Sequence, residues 1–264
     1  MTVSAPDRSG SSSPDLAELV QLSRALGEPW RRFAILAEGN TSQRLGEDVM
    51  AVKATGRSLR DATSEDFVLV SLQRLSQLVD DPDAGDADVA AYFDEVEGEQ
   101  GARPSVEVLL HVVCVLDCGA TTAAHTHPES VNALLCTDRA AMLAEQPLFP
   151  DQVVVIGRRA LLVPYTDPGV VLAREVRRRL AKYVPEHGVP RAIYLGNHGM
   201  FALGASAAQA LQVTEMADKT ARVLATALSL GTVVPMAEES AVRIDTRDDE
   251  QVRRAALAKA SLRP

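Results

Sequence analysis

Long apolar runs are absent from this sequence: no stretch reaches the ~18 residues that a membrane-crossing helix needs. Positive charge is in deficit too, with 27 Lys and Arg against 36 Asp and Glu, a net charge of −9 and a pI near 5.1. That balance argues against a nucleic-acid or anionic-membrane partner, so any phosphate must be held in a local pocket. Cysteine is scarce: Cys114, Cys118 and Cys136 form no CxxC. This speaks against a redox or metal role, and the pair in VVCVLDCGA reads as buried free thiols in a reducing cytosol. The opening MTVSAPDRSGSSSPD has no basic start followed by an apolar core, so it does not read as a secretory signal. A cytoplasmic location is expected.

What is present is ordinary for a globular chain: 264 residues, 46% apolar and 24% charged. Such a length buries roughly 70–75% of its unfolded surface without needing a disulfide or a metal. Residues 1–13 read as a flexible tail, 14–235 as one domain, and 236–264 as a charged helical tail. The first helix is expected after Ser13-Pro14, with Asp15 and Glu18 at its positive end and Leu16, Leu19, Val20, Leu22 and Leu26 at helical spacing. ILAEGNTSQRL, VMAVKATG and FVLVSL follow as short strands between turn signals. Residues 80–103 are acidic and rich in small side chains, and read as a solvated loop that Tyr92 and Phe93 tack down. PSVEVLLHVVCVL opens a helix with Pro104 and Ser105 at its cap and Glu107 in its first turn. TTAAHTH, VVVIG, ALLVP and AIYLGNHGMFALG read as strands; SVNALLCT, LAREVRRRLAKYV and ASAAQALQVTEMADKTARVLATALSL read as helices. Strands interleaved with helices imply an α/β layer structure, its mixed sheet covered on both faces.

Of only five histidines, two stand one residue apart in AAHTHPESVNALLC. Side chains at i and i+2 of a strand point the same way, so His125 and His127 share a face, and Pro128 puts them at the strand's exposed end. Cα atoms about 7 Å apart let both rings converge on one cation of the zinc type. His198 lies in LGNHGMF, where Asn197 and Gly199 mark a bend between apolar runs. Paired strand histidines also occur as hydrogen-bonded polar filler. A third histidine in a Gly-flanked turn, with Glu107 at a helix start, favours a metal site open to water or substrate. His111, four residues beyond Glu107 on the same helical face, is expected to make a supporting hydrogen bond rather than to ligate. His187 is expected to be an ordinary loop residue.

EGNTS and KATG each join glycine to hydroxyl or amide side chains in a turn that can present backbone N–H groups to an anion. Lys53 adds a point charge, and Ser105 at a helix N-terminus completes a cradle.

GNTS, KATG, PSVE, HTHP and NHG occur in the order and spacing of the class II aldolase/adducin family, which the chain resembles from about Leu16 to Leu230. Its enzymes include L-fuculose-1-phosphate and L-rhamnulose-1-phosphate aldolases and L-ribulose-5-phosphate 4-epimerase. The resemblance implies a three-layer α/β/α fold with a mixed, largely antiparallel central sheet, and a homotetramer with its active site at the subunit interface. It implies Zn²⁺ held by His125, His127 and His198, with Glu107 both catalytic acid/base and a ligand of the resting metal; Mn²⁺, Fe²⁺ or Co²⁺ suits the same donors. It places Gly39, Asn40, Thr55, Gly56 and Ser105 where sugar-phosphate aldolases bind phosphate or neighbouring oxygens. Those aldolases usually read Ser-Ser-Glu; this chain reads Ser105-Val106-Glu107, one hydroxyl fewer. The C-terminal tyrosine that serves fuculose-phosphate aldolase as an acid has no counterpart, since the last tyrosine is Tyr194. The implied function is a metal-dependent aldolase, a carbon–carbon lyase acting through an enediolate on a small ketose, foremost a ketose 1-phosphate. Within the same resemblance stand a sugar-phosphate 4-epimerase, a decarboxylase, a dehydratase and a non-catalytic adducin-like scaffold. Glu107 in place of the epimerase branch's aspartate favours the lyase, whereas Lys53 matches the epimerase pattern.

Overall fold

The computed structural model describes residues 14–258 and Leu262, so the expected tail at 1–13 lies outside the described residues. Within them seven strands form one sheet: β1 (Asn40–Arg44), β2 (Val49–Lys53), β3 (Phe67–Ser71), β4 (Thr122–Thr126), β5 (Leu161–Val163), β6 (Ala192–Leu195) and β7 (Gly199–Gly204). Their spatial order is β3-β2-β1-β4-β7-β6-β5, and every neighbouring pair is antiparallel except β5–β6. The mixed, largely antiparallel sheet is therefore as the resemblance implies.

Alternation along the strands sorts side chains between two cores. Ala123, Phe201, Leu203 and Ile193 face helices α2 (Leu72–Asp80), α3 (Asp86–Gln100), α4 (Val108–Cys118) and α8 (Val170–His187). Ala124, Met200, Ala202 and Tyr194 face α1 (Ala17–Leu26), α5 (Glu129–Leu135), α6 (Met142–Glu145) and α9 (Ala207–Leu230). Outside the second layer, α7 (Pro150–Val155) packs on α9, α10 (Glu238–Thr246) packs on α7, and α11 (Asp248–Ala258) packs on α7 and α9. Every residue of α4 from Val108 to Val115 is buried, as a helix apolar all round requires when sheet and outer helices enclose it. No helix among the described residues is long and apolar enough to cross a membrane.

Several elements differ from the sequence reading. The acidic segment 80–103 is not a loop: α3 occupies most of it, and Val89, Tyr92, Phe93 and Val96 bury a helical stripe while the acids face water. The Tyr92 hydroxyl accepts from Ser71 N at 2.8 Å, and the Gln100 amide pairs with both backbone groups of Leu69, closing part of the sheet edge at β3. VVVIG is helical in α7, because Pro150 suits a first helical turn and Arg191 donates to the carbonyls of Val154 and Val155 at 2.8 and 3.0 Å. α1 starts at Ala17, two residues beyond Asp15, whose carboxylate accepts from Ala17 N at 3.0 Å. α4 starts at Val108, leaving Glu107 in the cap position rather than the first turn, and Pro104 pairs with Ala54 as an isolated bridge. Of the cysteines only Cys114 is fully buried; Cys118 is half-buried and Cys136 exposed.

Candidate active site and metal centre

β1 and β4 lie in register with Asn40 opposite His125, and β4 meets β7 with His125 opposite Phe201. Cross-strand partners share a face, so Asn40, His125 and Phe201 form a row beneath the start of α4. The His125 ring stacks on Phe201 at 4.6 Å, and its Nδ1 donates to the Met200 carbonyl at 3.0 Å. His127, just past the strand end, is fixed by its backbone N–H to Phe33 O at 2.8 Å. His198 sits in the β6–β7 turn, where Asn197 takes φ 54°, a left-handed conformation that asparagine tolerates. Asn132 of α5 donates to the His198 carbonyl at 3.0 Å. Gly199 is obligatory: a Cβ there would lie 2.5 Å from His127 Cδ2 and 2.6 Å from Thr126 O.

Glu107 has no capping bond to make at its own helix, and its side chain turns to the histidines. Its Oε1 lies 3.0 Å from His125 Nε2 and 2.9 Å from His198 Nε2, and the His125 and His127 Nε2 atoms are 2.9 Å apart. One donor atom from each of Glu107, His125, His127 and His198 falls within 4.8 Å of all the others. Nδ1 of His125 must carry the proton to serve a carbonyl, so in the neutral ring Nε2 is a bare lone pair. That lone pair faces a carboxylate oxygen and a second imidazole nitrogen, a repulsion that a cation between them relieves. Three imidazoles and one carboxylate are a donor set for a divalent transition ion. The residues fit the group.

The electrostatics agree. Burial alone would raise the Glu107 carboxyl, but His125 and His198 outweigh it and hold Glu107 well below the ordinary carboxylate range. Burial pushes His127 down to about 3, so that ring is neutral and able to ligate. Burial likewise takes His111 down to about 3.

The other candidate residues are distributed unevenly. Asn40 is buried, and its NH₂ donates to Glu107 Oε2 at 2.7 Å and to Ser105 Oγ at 3.3 Å. Gly39 takes φ 70°, and a Cβ on it would press within 2.8 Å of His125 O. Thr55 and Gly56 are exposed on the turn after β2, tied to the Ser105 segment by Thr55 N to Arg103 O at 2.9 Å. Lys53 does not project outward: it is buried beneath that turn and donates to the carbonyls of Ala54 and Arg57 at 3.2 and 2.5 Å. His111 makes the supporting bonds expected of it, to Asn40 and Ser42. His187 is not a loop residue but the last residue of α8, exposed beside Tyr183.

Sequence reasoning missed Glu38, whose carboxylate lies 3.7 Å from His127 Nδ1, as well as Phe201, Asn132 and the steric need for Gly199. The period-two spacing of Glu38, Asn40 and Ser42 was the available signal. Beside His127 opens a groove of about 370 Å³ lined in part by Arg32, Ile35, Glu38, Asn132 and Cys136.

A family model described as Class II Aldolase and Adducin N-terminal domain matches residues 17–225. Among curated proteins the chain is similar to a 3-oxo-tetronate 4-phosphate decarboxylase of Haemophilus influenzae, 28% identical over 222 residues that cover 80% of this chain and 89% of that one. Among solved structures it resembles YgbL of Klebsiella pneumoniae, with TM-score 0.64, 24% identity, and 86% and 95% of the two chains covered. It also resembles the L-fuculose-1-phosphate aldolase of Thermus thermophilus, with TM-score 0.58, 17% identity, and 84% and 97% covered. These structural likenesses concern the fold, and the family match spans most of the chain: the protein belongs to the class II aldolase and adducin family.

Proposed function

We propose that this protein is a divalent-metal-dependent lyase that cleaves or forms a carbon–carbon bond in a small phosphorylated ketose. The observation that carries the proposal is the position of Glu107 Oε1, about equally close to His125 and His198. Zn²⁺ is the metal we assign to His125, His127, His198 and the resting Glu107; Mn²⁺, Fe²⁺ and Co²⁺ suit the same donors. When bound, such an ion supplies Lewis-acid stabilisation of negative charge developing on a substrate oxygen. Glu107 takes and returns the proton at the nucleophilic carbon, its second oxygen held by Asn40. Thr55, Gly56 and Ser105 form the phosphate side, with Gly39 allowing the close approach of β1 to β4 and Lys53 bracing the turn from within. We assign the groove beside His127 to a subunit interface of a homotetramer, because Ile35 in its lining and Leu36, the next residue along the chain, are 59% and 88% exposed.

A second reading, decarboxylation of a 3-oxo acid phosphate, is favoured by the similarity to the Haemophilus influenzae decarboxylase along most of the chain. Both reactions leave a carbanion that Glu107 protonates. NMR of the zinc-loaded protein with a panel of ketose 1-phosphates and with 3-oxo-tetronate 4-phosphate separates them. Aldehyde release supports the first proposal and loss of CO₂ the second. A chain that takes up stoichiometric metal and converts none of these substrates excludes both readings, and one that binds none of Zn²⁺, Mn²⁺, Fe²⁺ and Co²⁺ favours the scaffold.

A further inference from the structure

We infer that His111 is a positioning residue which, through Asn40, determines the oxygen of Glu107 that meets the metal; the inference rests on the metal reading above. The hydrogen bonds can run in one direction only. Ionised Glu107 only accepts, so Asn40 must present its NH₂ to Oε2, 2.7 Å away. The Asn40 carbonyl oxygen then faces His111 Nε2, which must carry the ring proton. Nδ1 of His111 is left bare and accepts from the Ser42 hydroxyl at 2.7 Å. Turning any member would strand a buried donor or acceptor. Packing sets the same ring independently: its edge meets Phe201 at 4.9 Å and 67°, on the aromatic that also stacks against His125. With Oε2 engaged by Asn40, Oε1 is the oxygen turned to His125 and His198. Ser42, His111 and Asn40 thus form a clamp that keeps the carboxylate in place whether or not it is ligating.

The test is Co²⁺ binding to chelator-stripped protein, read by chelator competition and by the visible absorption of the bound ion, with circular dichroism to establish folding. His111→Leu and Asn40→Ala are each expected to weaken Co²⁺ about 10- to 100-fold and to shift the absorption band. Their double variant loses no more than the worse single, since both act along one path. His111→Gln, which retains an N–H near the place of Nε2, returns both the affinity and the band most of the way to wild type. Unchanged binding in folded His111→Leu, or losses that multiply in the double variant, would reduce the ring to core packing and overturn the clamp. Should His111→Leu not fold, Ser42→Ala carries the test: it frees Nδ1 and weakens Co²⁺ in the same sense, and unaltered binding there overturns the clamp. A wild-type chain that takes up no Co²⁺ overturns the metal reading, and the clamp with it.

Discussion

Glu107 works under three constraints: a half-buried position, two imidazoles on one oxygen and an amide on the other. Glu107→Gln preserves shape and removes the basic oxygen. Metal analysis is expected to find near-stoichiometric zinc in that variant, while turnover falls at least about 100-fold, the usual worth of a positioned acid or base. Turnover near the wild-type rate would remove Glu107 from the chemistry. Lys53 offers a separate prediction on stability. Burial lowers its pKa to about 8 from the ordinary 10.5, although Asp66 and Glu107 pull it up. Between those values the unfolded chain holds a proton that the folded chain has released, so this residue's contribution to stability grows with pH across the window. It is complete above 10.5 and lost as pH falls through about 8. Lys53→Met lacks the titration. Urea midpoints near pH 7 and near pH 10 are therefore expected to shift toward wild type, relative to Lys53→Met, at the higher pH.

At the scale of elements, the β6–β7 turn and α3 are the revealing cases. The turn delivers His198 to the site only because Gly199 leaves room for His127. Gly199→Ala is expected to cost about 1–3 kcal/mol in urea unfolding, the range for overpacking, and to lower zinc affinity as His127 is displaced. In α3, Phe93 is 2% exposed and packs in the core with Tyr92 and Val96. Phe93→Ala is expected to cost about 3–5 kcal/mol, which a solvated flap would not show. The strands and the long helices α8 and α9 were legible because their apolar periodicity is strong. α7 was not: a run of valines reads as a strand until Arg191, far along the chain, meets its last carbonyls.

For the whole molecule, the donors are held together by elements from across the fold, so an ion that binds the folded chain alone must stabilise it. Adding zinc at about 100 times its Kd to chelator-stripped protein is worth about 2.7 kcal/mol. For a domain of this size that raises Tm by about 5–10 °C. An unchanged Tm under those conditions would contradict the metal site. The proposed tetramer predicts a light-scattering mass four times the chain's 28.2 kDa. Leu36→Asp, at an exposed apolar position beside Ile35, is expected to return the mass of one chain; a wild-type chain already at that mass excludes the interfacial site.

By itself the sequence determined the family and singled out Glu107, His125, His127 and His198, the residues that the fold brings together. The HxH alternation, the Gly-flanked His198 and the GNTS, KATG and PSVE turns are local patterns, governed by the period of a strand and the punctuation of glycine and proline. Only tertiary structure decided that 86–100 is a helix under the sheet edge and that Lys53 braces a turn from inside. It also decided that the Asn40 amide is engaged by Glu107 and His111, 67 and 71 residues away. Those outcomes depend on which distant surfaces remove one another from water, and that pairing is not a property of any single segment.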